Sequence, residues 1–138
     1  ALAREQGMSA LVGAMREMAS RNPAAPASAK RTEERMGSDV FWERIRRKLE
    51  AMDPVAWDAL SQALGTQTSV AGRLGEISCP TLVMVGAEDL PFLKPSDELE
   101  RGIRGATRVT IPDAAHSPQL ENPPAWSAAI HAHLARAR

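Results

Sequence analysis

Two short apolar runs constrain this chain more than any other feature. Thr81-Leu82-Val83-Met84-Val85 stops at Gly86-Ala87-Glu88-Asp89, and Arg108-Val109-Thr110-Ile111 stops at Pro112-Asp113-Ala114-Ala115-His116. The first run is nearly continuous, as expected for a central parallel strand covered on both faces. Pro80 at its mouth is tolerated because the first residue of a strand need not donate a hydrogen bond. Residues 107–111 read as a second strand. Between them, Pro95-Ser96-Asp97-Glu98-Leu99-Glu100 opens a short helix with acids in its first turn, where the helix dipole favours them. Asn122-Pro123 opens a last helix that carries Trp126, Ala129, Ile130 and Leu134 on one side. Strand, helix, strand, helix at this spacing predicts an α/β class chain with a parallel pair and a crossover helix, a βαβα unit. Two parallel strands do not make a domain, because such a sheet needs covered faces and more neighbours. A truncated sheet is therefore expected.

Upstream the pattern is helical. Ser9 can cap a segment with Leu11, Val12, Met15 and Met18 on one stripe. The methionines Met8, Met15 and Met18 suit either an adaptable apolar pocket or plain packing. Pro23 to Ala29 reads as a Pro/Ala/Ser-rich connector with little to bury. Ser38 can cap a helix with Phe41, Ile45 and Leu49 on its inner face, and Arg44, Arg46, Arg47 and Lys48 read as its solvated face. Asp53-Pro54 is a cap followed by a first-turn proline; Val55, Trp57, Leu60 and Leu64 follow, and Gly65 can stop the helix.

Composition narrows the function classes. At 138 residues, 43% of them hydrophobic and 25% charged, the chain is long enough for one soluble domain with its own core. The formal net charge is zero, and there are two Phe and no Tyr. Neither a nucleic-acid surface nor an anionic-membrane surface is expected from that balance, nor a platform for stacking bases. No apolar run reaches the roughly 18 residues a membrane span requires. The single cysteine, Cys79, excludes an intrachain disulfide and favours a reducing, cytoplasmic compartment. Cys79 itself is expected to be a small buried hydrophobe.

In open α/β sheets, reactive groups gather beyond the carboxyl ends of the strands. Asp89 and His116 both fall there. A carboxylate that accepts from one imidazole nitrogen sets the tautomer, and the other nitrogen can then take a proton from a nucleophile or from water. An acid followed by a histidine is also the tail of a Ser…Asp…His order, yet Gly-x-Ser-x-Gly occurs nowhere in these residues. Other residues carry less. Glu88 adjoins the acid. Phe92 and Leu93 are expected to pack, and His131 and His133 to face solvent. No Cys, Asp or Glu completes a zinc ligand pattern with His116. Ser117 is not expected to be a nucleophile, because nothing puts it on a strained strand-to-helix turn.

The stretch Ile77-Ser78-Cys79-Pro80-Thr81-Leu82-Val83-Met84-Val85-Gly86-Ala87-Glu88-Asp89 resembles the acid-bearing segment of the α/β-hydrolase superfamily, where a Pro-Thr-apolar run leads to Gly-x-x-Asp. Ile111 to Pro123, with Pro-x-x-x-His running into Glu-x-Pro, is similar to that family's histidine loop; Ala115 stands where the loop often has Gly. The resemblance covers residues 76–138 closely. It implies that 76–138 form the C-terminal part of the hydrolase core and that 1–75 form the helical lid and return helix. It also implies that Asp89 is the triad acid and His116 the triad base. The family's nucleophile elbow lies upstream of its lid, and the chain opens without a Met; a fragment that begins mid-protein is expected. The implied activity is hydrolysis of an ester or lactone with an apolar portion, with no cofactor and no metal, by a parent enzyme whose serine lies outside this chain. Alternatives are a dehalogenase or epoxide hydrolase with an aspartate nucleophile, a haloperoxidase-like relative, or a non-catalytic helical module. Unpaired strand edges lead us to expect a homo-oligomer, or association with the missing N-terminal half.

Overall fold

The computed structural model describes residues 2–23 and 25–137. They form seven α-helices, one 3-10 helix and two strands, and divide into two compact units: residues 1–25 with 33–68, and residues 26–32 with 69–138.

The first unit is helical. It contains α1 (Leu2–Arg21), α3 (Ser38–Glu50) and α4 (Pro54–Thr66), with α1 packed against both of the others. Its core is Ala3, Met8, Val12 and Leu49, flanked by Leu11, Ile45, Met52 and Trp57. The methionine stripe splits: Met8 is in the core, while Met18 faces solvent. The first helix starts at Leu2 and not at Ser9; Gly7, at φ 84°, breaks its regularity, and the Ser9 hydroxyl donates to Glu50. Glycine tolerates this left-handed φ because it has no Cβ. Gly37, not Ser38, occupies the cap of α3, and Ser38 Oγ donates to Glu33 Oε1 at 2.6 Å. The expected Asp53 cap is present: its Oδ1 accepts from the amides of Val55 (2.9 Å) and Ala56 (2.8 Å), with Pro54 opening α4.

The second unit is the one that positions the site. Its strands are β1 (Leu82–Gly86) and β2 (Thr107–Ile111), paired in parallel with Leu82 opposite Thr107 and Gly86 opposite Ile111. Between them runs α5 (Leu90–Gly102), which packs on both strands. After β2 come α6 (Pro118–Glu121) and α7 (Pro123–Arg136), and α7 lies against β2. Val83, Val85, Ile103, Ile111, Ala114 and Ala115 are buried. Mostly helical with a small parallel sheet, the chain has the coarse α/β character that its sequence predicts.

Three local expectations need correction. The helix after β1 begins at Leu90 and not at Pro95, because Pro91 sits in the first turn, where its missing N–H costs nothing, and Pro95 is accommodated inside. Cys79 is exposed, in the bend between the 3-10 helix Ala71–Glu76 and β1. The supposed connector after Pro23 is already helical at Ala27: α2 spans Ala27–Met36, and the division between the two units falls within it.

Candidate active site

Parallel pairing brings the carboxyl ends of β1 and β2 to the same edge of the sheet, so their exit loops are neighbours. The approach is very close. A Cβ on Gly86 would lie 2.2 Å from the Ala115 carbonyl oxygen and 2.3 Å from that of Ala114. Backbone bonds stitch the loops together, with Ala87 N donating to Ile111 O at 2.9 Å and Glu88 N to Ala114 O at 2.8 Å. Asp113 turns the second loop with a left-handed φ of 52°, a conformation that Asp adopts more readily than most residues.

These loops bring the two sequence-predicted site residues together. Asp89 Oδ2 lies 3.0 Å from His116 Nδ1. A carboxylate can only accept, so Nδ1 donates, and in the neutral ring Nε2 keeps its lone pair. The Asp89 side chain is largely buried, while that of His116 is 73% exposed. Among the described residues no side chain hydrogen-bonds Nε2, so that nitrogen is open to an incoming group. Phe92 does not pack inward as expected. It is 48% exposed, and its ring lies 4.9 Å from the imidazole at 50°, forming an apolar wall beside it.

A second layer of polar groups surrounds the pair. Glu121 Oε2 accepts from the amides on either side of His116, Ala115 N at 2.7 Å and Ser117 N at 3.0 Å. Its other oxygen accepts from Ser28 Oγ at 3.2 Å. Ser28 N donates to Glu88 Oε2 at 2.7 Å. Arg31, one turn along α2, pairs with Glu88 and lies 3.5 Å from Asp113 Oδ1. The Arg31 guanidinium, helped by the Ser28 amide, holds the Glu88 carboxyl below the usual carboxylate range. Glu88 is thereby committed to Arg31 and Ser28, and it anchors the loop that carries Asp89.

Sequence reasoning missed Ser28 and Arg31, and it gave Glu121 no role of its own. The one signal for Ser28 was Pro26, two residues before it and immediately before α2, which marks a helix start. His131 is exposed and His133 half-buried on α7, away from the pair in sequence and on a different element. Among the described residues no cluster of three or more His, Cys, Asp or Glu side chains could hold a metal, and no helix is long and apolar enough to cross a membrane. A surface depression of about 580 Å³ lies elsewhere, lined by Asp39, Val40, Glu43, Arg44 and Arg47 of α3; it contains none of the groups that polarise one another around His116. Comparison with protein-family models, curated proteins and solved structures yields no significant match for this chain.

Proposed function

We propose that Asp89 and His116 are the acid and base of a Ser-Asp-His type hydrolytic relay, carried on the C-terminal part of an α/β-hydrolase-type fold. The observation that carries this reading is the 3.0 Å Nδ1 to Oδ2 bond beyond the carboxyl ends of two parallel strands, with Nε2 left open. Nε2 takes the proton of an attacking hydroxyl while Asp89 keeps the ring in the required tautomer and stabilises the imidazolium. His116 then returns that proton to the leaving alkoxide, and afterwards activates water to cleave the acyl-enzyme. The exposed Phe92 ring beside the imidazole suits an ester or lactone with an apolar portion.

No Gly-x-Ser-x-Gly motif lies within residues 1–138, so the nucleophile in this reading comes from polypeptide outside them. Among the described residues β1 pairs only with β2, and its other edge offers unpaired backbone groups where that polypeptide, or a second copy of this chain, could add a strand.

A fluorophosphonate probe tests the assignment. It should leave the 138-residue chain unlabelled and should label the full reading frame that contains it. In that full protein His116→Ala should lower hydrolysis of p-nitrophenyl esters by about 10⁴-fold or more. Labelling of the 138-residue chain, or a full protein that neither labels nor hydrolyses esters, overturns the reading.

A further inference from the structure

An imidazole that is 73% exposed and held by a single bond should not keep one orientation unaided. Water competes for Asp89, and a loop residue is free to turn. Something must restrain the loop itself. One glutamate oxygen, Glu121 Oε2, takes the amides on both sides of His116, so the backbone cannot rotate there without breaking two charge-assisted bonds. Glu121 is in turn tied to Ser28, whose side chain is only 1% exposed and so has no water to exchange with. The same Ser28 binds Glu88, the residue next to Asp89, through its backbone amide. Arg31 repeats the pattern, reaching Glu88 in the acid loop and Asp113 in the histidine loop.

We infer that the first turn of α2 braces the two loops against each other, and that Ser28 and Glu121 are positioning residues that hold the His116 imidazole on Asp89. The inference rests on reading Asp89 and His116 as a relay. It adds a third chain segment, residues 26–32, that touches neither the substrate nor the reacting atoms.

Imidazole nitrogen NMR on the labelled full chain tests it without requiring activity. The chain has three histidines; His116→Asn assigns the signal of interest, and His131 and His133 serve as internal references. With the ring neutral, the unsubstituted chain should show His116 protonated at Nδ1 and bare at Nε2. Glu121→Ala should shift that tautomer ratio by about five-fold or more, the size expected for loss of one net hydrogen bond. Ser28→Ala should move it in the same direction, while the two α7 histidines stay unchanged. Glu121→Gln should largely restore the signal, because its carbonyl can accept from both amides and its NH₂ can donate to Ser28. If Glu121→Ala fails to fold, Ser28→Ala, which deletes a single oxygen atom, decides by the same readout. An unchanged ratio in the folded variants overturns the brace and leaves the relay standing. Absence of the Nδ1 proton in the unsubstituted chain overturns the relay, and the brace with it.

Discussion

Each of the two compact units has its own kind of interior. The helical unit buries Ala3, Met8, Val12 and Leu49 and leaves Val55, Leu60 and Leu64 of α4 facing solvent. Its cohesion is apolar contact, which has no preferred direction. The sheet unit also buries Val83, Val85 and Ile111, but next to them it buries Ser28, Asp89 and Ser96. Among the described residues no buried side-chain nitrogen or oxygen lacks a partner. Hydrogen bonds depend on angle as well as distance, so the buried groups of this second unit fix positions where the buried side chains of the first fill space. A site that needs atoms placed to within a fraction of an ångström belongs on the second kind of interior.

The contrast can be broken experimentally. The largest effect should come from the apolar unit: Leu49→Ala removes a buried core side chain and should cost about 2–5 kcal/mol in denaturant unfolding. A cost well below that range would mean the helices are held by something other than this cluster. Next comes Gly86→Ala in the sheet unit. The added methyl meets two backbone carbonyls that cannot swing away as a side chain would, so about 1–3 kcal/mol of overpacking is expected. The more telling readout is loss of the Nδ1 proton signal of His116, since the loops must part to admit the methyl. Retention of that signal at undiminished stability would show that the close approach is not required.

The smallest effect is a pH dependence. The Glu88 carboxyl is held below its ordinary value of 4.5 by Arg31 and by the Ser28 amide. A depressed folded-state value stabilises above the unfolded value, and that contribution fades as pH falls through the folded one. Melting temperature should therefore drop further for the parent chain than for Glu88→Gln as pH is lowered from neutrality to below 4.5. Parallel curves would remove Glu88 from the list of loop anchors. Glu43 and Glu76 are also shifted downward by arginine partners, but they are common to both chains and cancel in the difference.

Several local signals were legible in the sequence, although Ser9 and Ser38 did not cap the helices they suggested, and distant signals were not legible. An apolar run bounded by Pro80 and Gly86 marked β1, and residues 107–111 are β2. Asp53 and Asn122 marked helix starts because a cap is a contact between near neighbours; Asn122 Oδ1 accepts from Ala125 N at 3.3 Å. The 3.0 Å meeting of Asp89 and His116 could be anticipated from strand ends, the acid-then-histidine order and the surrounding sequence taken together. Ser28 could not. Its partners, Glu88 and Glu121, lie 60 and 93 residues away, and its surroundings have the composition of a linker. Pro95 misled for a related reason: a proline reads as a helix start, but Pro91 had already opened α5 four residues before it. The hydrolase-type topology beyond this strand pair is a matter of proposal, because a two-stranded sheet is common to many architectures.

The alignment of β1 with β2 acts as a ruler for the chemistry. Sliding one strand by a single position would carry the histidine about 3.3 Å along the sheet, farther than any hydrogen bond can stretch. The same slip would turn Ile111, now 1% exposed, out toward water, because side chains alternate faces along a strand. A greasy residue with no reactive group thus guards the spacing between a proton donor and its acceptor, and any misalignment that spoils the pair is penalised first by the oil.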